Sequence, residues 1–292
     1  MNRLTWCCGI GGLMMKRDGV VLDMPEAEYH APTDELSSTG AKLILDAPAR
    51  YKHVVLDGNR EEKDSFDLGG IVHAMVLGTG WGVRELDFEN WRTKASQEAR
   101  VEARAEGLIP VLKHEMVKPR AMAEAVLAHP VAGPMFEQAG ASEVSAFGTC
   151  PETGVRLRAR ADRLVEGGPI VDLKTTAGSA KPDEFARAVF KYGYDLQDAL
   201  YEEVFGLACG WAGEFKFVVV ETRAPHLVSV VKLRDDYLEM GRDKSMKARR
   251  VYAECMAAGI WPGYPSGEHV IEPPMAAVYD HQDNYEMGDI TL

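Results

Sequence analysis

Val155-Arg156-Leu157-Arg158-Ala159-Arg160-Ala161-Asp162, followed after Gly167-Gly168-Pro169 by Ile170-Val171-Asp172-Leu173-Lys174, is the stretch that decides the fold. Its first segment alternates apolar residues with Arg and Asp, which is the period of a strand with one covered face. Val155, Leu157, Ala159 and Ala161 share that face; Arg156, Arg158, Arg160 and Asp162 share the other. The glycine-proline break is a turn, so a second strand returns beside the first, and Asp172 and Lys174, two apart, lie side by side. Asp162 and Asp172 then fall near the ends of neighbouring strands, where their carboxylates can converge on one cation. Hydrolysing a phosphodiester requires charge neutralisation around phosphorus and a hydroxide-like nucleophile, both of which a divalent metal on carboxylates supplies. Lys174 is placed to orient or deprotonate the attacking water, or to stabilise the developing charge. A solvent-facing amphipathic strand pair carries the same ladder of Arg, Asp and Lys, so this stretch alone leaves both readings open.

Working outward, residues 143–147 read as a preceding strand and Cys150-Pro151-Glu152-Thr153-Gly154 as the turn between strands. Downstream, Pro182 can open a helix over 183–207, with Phe185, Val189, Phe190, Leu196, Leu200 and Val204 at helical spacing. Gln197 and Tyr201, four apart, share a face of it. Residues 215–220 form a largely buried strand, and 235–256 a closing helix capped by Asp235 or Asp236 and stopped near Gly259. Upstream, Ser37 and Ser38 cap a short helix that ends at Pro48. A helix containing residues 66–77 carries His73, and its Gly69-Gly70 pair permits close packing. The Ala-, Glu-, Lys- and Arg-rich stretch 93–129 predicts one or two solvent-facing helices around Pro110 and Pro119.

The 292 residues are 46% hydrophobic, enough to fill a core. A net charge of -12 argues against coating nucleic acid by general positive charge, so any DNA contact must be local. Cys7, Cys8, Cys150, Cys209 and Cys255 are odd in number and lack zinc or disulfide spacing, which suits a reducing, cytoplasmic setting. The run Leu4-Thr5-Trp6-Cys7-Cys8-Gly9-Ile10 is broken by glycine and lacks a clean cleavage site, so a floppy start, or an early start codon ahead of Met14, Met15 or Met24, is expected there rather than a secretory signal. No apolar stretch reaches the ~18 residues a membrane span needs.

Four motifs in order resemble the RecB-like branch of the PD-(D/E)xK nuclease superfamily. They are Gly69-Gly70-Ile71-Val72-His73, Asp162, Asp172-Leu173-Lys174 and Gln197-Asp198-Ala199-Leu200-Tyr201. Each is weak alone; together, at these spacings, they are specific. Within that branch the chain is most similar to the phage and prophage RecE-type exodeoxyribonucleases, which are exonuclease VIII-like. That likeness rests on Leu36-Ser37-Ser38, Ala47-Pro48-Ala49-Arg50-Tyr51, Asp172-Leu173-Lys174-Thr175-Thr176, Tyr192-Gly193-Tyr194 and Trp261-Pro262-Gly263-Tyr264.

The resemblance implies an α/β (α+β) restriction-endonuclease-like core, a central mixed sheet flanked by helices. It implies one nuclease domain over 31–265, with a helical part 31–140 and a catalytic part 141–265, between a flexible segment 1–30 and a tail 266–292. Asp162, Asp172, Lys174, Gln197 and Tyr201 would be the catalytic set. His73, Asp162, Asp172 and the Leu173 carbonyl would hold Mg²⁺, with Mn²⁺ a substitute given one imidazole. Glu143 would assist from the preceding strand, although an exposed strand residue has the same pattern. Arg156, Arg158 and Arg160 would hold DNA phosphates, or else pair with nearby acids. The implied activity is digestion of linear double-stranded DNA from an end, by a ring-like homo-oligomer in a bacterial cytoplasm, leaving a single strand for an annealing recombinase. Membrane association is not expected. The competing reading is a non-catalytic DNA-binding or assembly module on the same fold.

Overall fold

The computed structural model of the chain describes residues 18–31, 33–59, 68–78, 82–211 and 213–285. Strand β1 (Gly19–Val21) is followed by a short parallel pair, β2 (Val83–Leu86) and β3 (Ile109–Leu112). Then come β4 (Gly140–Thr149), β5 (Arg156–Val165), β6 (Ile170–Thr176), β7 (Phe215–Glu221) and β8 (Val228–Val231). All but β2 and β3 join one mixed sheet in the order β1-β4-β5-β6-β7-β8. Only β6 and β7 run parallel in it, and a parallel pair requires a crossover segment.

The main helices are α1 (Ser38–Asp46), α2 (Leu68–Leu77), α3 (Lys94–Ala105), α4 (Val117–Leu127), α5 (Pro182–Tyr192), α6 (Tyr194–Cys209) and α7 (Asp235–Ala258). Helices α5 and α6 supply the crossover. On one face of the sheet Leu157, Ala159, Ala161 and Phe217 bury against Ile44, Leu200, Val204 and Ala248. On the other, Val171, Leu173, Val218 and Val220 bury against Val72, Val76, Met122 and Val126. The alternation read along 155–162 therefore sorts the residues as expected, and the expected mixed sheet between helices is found.

Ser37 caps α1 by accepting from Gly40 N at 3.1 Å, worth about 1 kcal/mol. The helix ends where Ala47, ahead of Pro48, turns extended. The single helix expected over 183–207 is two, because Gly193 takes the left-handed conformation at φ 61°, ψ 46°, where a residue without Cβ is least strained. The break turns the chain so that Tyr194 stacks on Phe185 at 5.7 Å and lies against Phe217. Helix α7 begins after Arg234 with no side-chain cap, so Asp235 and Asp236 are first-turn acids rather than caps.

Two expectations are corrected. Residues 18–30 are not a loose lead-in: β1 adds to β4, and Met24 and Tyr29 bury against Phe147. Within 93–129, Ile109-Pro110-Val111-Leu112 is a strand, since Gly107 at φ 72° ends the preceding helix and Val111 and Leu112 are buried. Phe66, Asp67 and the run 4–10 lie outside the described residues. Beyond 265, helix Met275–Asn284 buries no side chain. Among the described residues no helix is long and apolar enough to cross a membrane.

Helices α6 and α7 meet at Gly241, where an added Cβ would lie 2.2 Å from the Asp195 carbonyl oxygen. The obstacle is backbone, which cannot swing away, so Gly241→Ala is expected to destabilise the fold by about 1–3 kcal/mol. Urea unfolding followed by circular dichroism measures this, and an unchanged midpoint would contradict the close approach.

Candidate active site

The site forms where the β5–β6 ladder stops. The two strands pair only at Arg163 with Val171 and Leu164 with Ile170. Beyond these rungs they diverge, and the Asp162 carboxylate replaces the missing strand partner: its Oδ2 accepts from Leu173 N at 2.7 Å. Asp172 is 3% exposed, with Oδ1 accepting from Gln197 Nε2 at 2.5 Å and Oδ2 facing Lys174 Nζ at 2.5 Å. Helix α2 brings His73 from the opposite layer. Its Nδ1 lies 2.8 Å from the Gly69 carbonyl, which fixes the ring, and its Nε2 lies 3.2 Å from Asp162 Oδ2. The structure thus brings His73, Asp162, Asp172, Lys174 and Gln197 together.

Tyr201 lies one turn beyond Gln197 on the buried side of α6, 8% exposed and edge-on to Phe215 at 5.6 Å. Burial, reinforced by Tyr29 and by the charges of Asp172 and Asp162, pushes its hydroxyl well above the usual tyrosine range, so it stays protonated. Glu143 sits across from Asp162, at a kink in β4 where φ is 54°. Its carboxylate accepts from Arg160 Nε at 2.6 Å, and burial followed by the Asp162 charge raises its pKa.

The electrostatics are those of two acids held near one another. Burial and then Asp162 raise the Asp172 pKa, although Lys174 counters them. The Asp162 pKa is lowered: burial opposes this, but His73 and then Lys174 outweigh it. Burial pulls His73 down, yet Asp162 more than compensates and lifts it to about 9. For Lys174 too, burial is outweighed by Asp172 and Asp162, and its pKa rises. Positive charge from an imidazolium and an ammonium balances the carboxylates.

Among the described residues no three His, Cys, Asp or Glu side chains are gathered around one point as ready-made metal ligands. They are paired with each other instead. The donor chemistry nevertheless fits a hard divalent ion: one buried and one half-buried carboxylate and an imidazole that must shed its proton to ligate, with Asp172 Oδ2 met by the Lys174 ammonium. His73, Asp162 and Asp172 are the side chains that could hold it, with the Leu173 carbonyl alongside.

Arg156 is paired with Glu35 at 2.6 Å and approaches Asp34 at 3.6 Å. Arg158 is 6% exposed, donating to the Tyr29 carbonyl at 2.6 Å. Arg160 holds Glu143 and the Met24 carbonyl. All three contact residues 24–35; Arg156 and Arg160 pair with acids, as one of the two readings has it, and Arg158 with a backbone carbonyl. Two residues at the site had no assigned part: the Tyr194 ring lies 5.0 Å from Lys174 Nζ and 5.5 Å from Lys42 Nζ. Burial and the Lys174 charge lower Lys42 to about 8. Tyr194 was within reach through the Tyr192-Gly193-Tyr194 motif; Lys42 carried only the faint signal of a cation between the buried Ala41 and Ile44.

Among solved structures, a presumed exonuclease from Eubacterium rectale shares the fold, with a TM-score of 0.59 at 16% identity over 91% of this chain and 100% of that one. A phage-related exonuclease from Haemophilus somnus gives 0.33 at 11% identity over 77% and 96%. An alkaline exonuclease from Laribacter hongkongensis gives 0.29 at 13% over 65% and 90%. No curated protein matches the chain in sequence. Residues 37–271, which span every element of the site just described, match the PDDEXK-like domain of unknown function DUF3799, and the chain belongs to that family.

Proposed function

We propose that the protein is a Mg²⁺-dependent exodeoxyribonuclease that digests linear double-stranded DNA from an end. The observation carrying this reading is the fork itself: Asp162 and Asp172 flank the point where the ladder opens, with Lys174 and His73 in direct contact with them. The exonuclease description of the Eubacterium rectale protein that shares the fold supports the choice of reaction. In this reading a bound divalent ion supplies charge neutralisation at the phosphate and a more acidic water.

The chain's own residues do the rest. Gln197 locks one oxygen of Asp172, which fixes the rotamer of the carboxylate and hence of the Lys174 ammonium beside it. That ammonium is positioned to hydrogen-bond the attacking water or the phosphate oxygen on which charge develops. The Gly69 carbonyl holds the His73 ring through Nδ1, so that Nε2 faces the acids and, once its proton is shed, could ligate the ion. Buried Tyr201 and Phe215 keep the floor of the site rigid. As parts of the same proposal, the product is a single strand for an annealing recombinase, the enzyme works as a ring-like homo-oligomer in a bacterial cytoplasm, and Mn²⁺ replaces Mg²⁺.

The test is digestion of an end-labelled linear duplex by the pure full-length protein with Mg²⁺, with Mn²⁺ and with EDTA. Shortening from the labelled end that stops with EDTA is expected. A duplex left intact with every divalent metal removes the nuclease reading, and cutting of a closed circle at the same rate removes the exonuclease part.

A further inference from the structure

Arg156, Arg158 and Arg160 have internal partners, so in the nuclease reading a chain of net charge -12 needs further cations to meet DNA phosphates. An open groove of about 690 Å³ runs between the turn after β7 and the start of α4. His114, Lys118, Thr222, Arg223 and His226 line it, with Glu115 as the only carboxylate among the lining residues. Glu115 is engaged, its Oε2 accepting from Leu112 N at 3.3 Å. Lys118 and Arg223 are exposed and, among the described residues, have no acidic partner. On the same stretch Arg120 is paired with Glu85 and Lys113 with Asp87. Of the three cations on that stretch, Lys118 is thus the one that lines the groove without an ion pair, as Arg223 does from the turn after β7.

The groove also reaches the end of the strand that carries Lys174. Thr222 N donates to the Thr176 carbonyl at 2.8 Å. Thr176 lies two residues beyond Lys174 on β6, or ~7 Å along the strand. Helix α4, which carries Lys118, packs in the same layer as α2, which carries His73, and Val72, Val76, Met122 and Val126 join them. The groove is open to solvent, which suits a polymer rather than an enclosed small molecule. We propose that this groove carries the DNA backbone next to the scissile bond, with Lys118 and Arg223 each neutralising a phosphate. The inference rests on the nuclease reading and adds the surface that holds the substrate.

The test is fluorescence anisotropy of a labelled linear duplex with the full chain in EDTA, from 50 to 200 mM salt. It compares wild type, Lys118→Glu/Arg223→Glu, and the equal-charge control Arg92→Glu/Lys247→Glu, whose sites are exposed elsewhere. The groove variant is expected to bind at least about ten-fold more weakly, with the slope of log affinity against log salt reduced by about two, near 0.9 per lost phosphate contact. The control should stay near wild type. Lys118→Gln/Arg223→Gln should show the same loss of slope if charge reversal disturbs folding. Equal slopes in groove variant and control, while wild type binds and cuts DNA, overturn the groove alone. Wild type that neither binds nor cuts duplex overturns the groove together with the nuclease reading.

Discussion

Asp172→Asn is expected to slow duplex cleavage by about a thousand-fold or more, equivalent to about 4 kcal/mol of lost transition-state stabilisation. The substitution keeps size and shape, so Gln197 and Lys174 keep a neighbour of the same outline. What disappears is the negative charge that would hold a divalent ion and that raises the Lys174 pKa. Stability should move the other way. Asp172 is 3% exposed, and burial together with Asp162 outweighs Lys174 in disfavouring its charge; the relieved repulsion between carboxylates therefore exceeds the lost pairing with Lys174, which keeps Asp162 near it. Initial rates on a labelled duplex with Mg²⁺, beside a thermal melt, separate the two effects. A variant that cuts within ten-fold of wild type would remove Asp172 from the chemistry, and one that fails to fold would show that its charge is structural.

The largest expected loss of stability comes from a pair between α6 and α7 that takes no part in the fork. Arg249 is 1% exposed, and its guanidinium donates to Glu203 Oε1 at 2.7 Å and Ser245 Oγ at 2.8 Å, with Cys150 Sγ at 3.3 Å. Glu203→Ala would leave this cation buried without its counter-charge, a loss of about 3 kcal/mol. That is the low end of the usual range, because water can reach the vacated edge. The double variant Glu203→Ala/Arg249→Met removes the stranded charge and fills the space with an apolar chain, and it should be more stable than Glu203→Ala alone. Urea unfolding of the three proteins decides it. A single-variant loss under 1 kcal/mol would mean that the pair contributes little.

Much of the sheet was legible because it obeys local rules. Period two marked β5 and β6, and the Gly167–Pro169 turn put Asp162 opposite Asp172. The i, i+4 relation put Gln197 and Tyr201 on one side of a helix, and the motif order pointed to His73. The parts that were not legible depend on what covers a face. Alternation separates Arg156, Arg158 and Arg160 from the apolar residues, but it cannot reveal that Met24, Tyr29 and Glu35 lie over them. Strands β1, β2, β3 and β8 are three or four residues long, too short for a period to emerge. Lys42 approaches Tyr194 across a contact between segments some 150 positions apart in sequence, which no local pattern records. The break at Gly193 was masked because apolar spacing continues on either side of it.

The hydrogen bond from Leu173 to Asp162 gives the acid a second occupation. It closes the backbone of one strand at the point where the neighbouring strand departs, so replacing it by an apolar residue strands a main-chain N–H. A descendant that drifted toward a purely DNA-binding life could not discard this carboxylate freely; it would need another acceptor there first. Architecture therefore guards chemistry at this position, and a carboxylate or amide at 162 in a related chain would be a weaker sign of activity than an acid at 172.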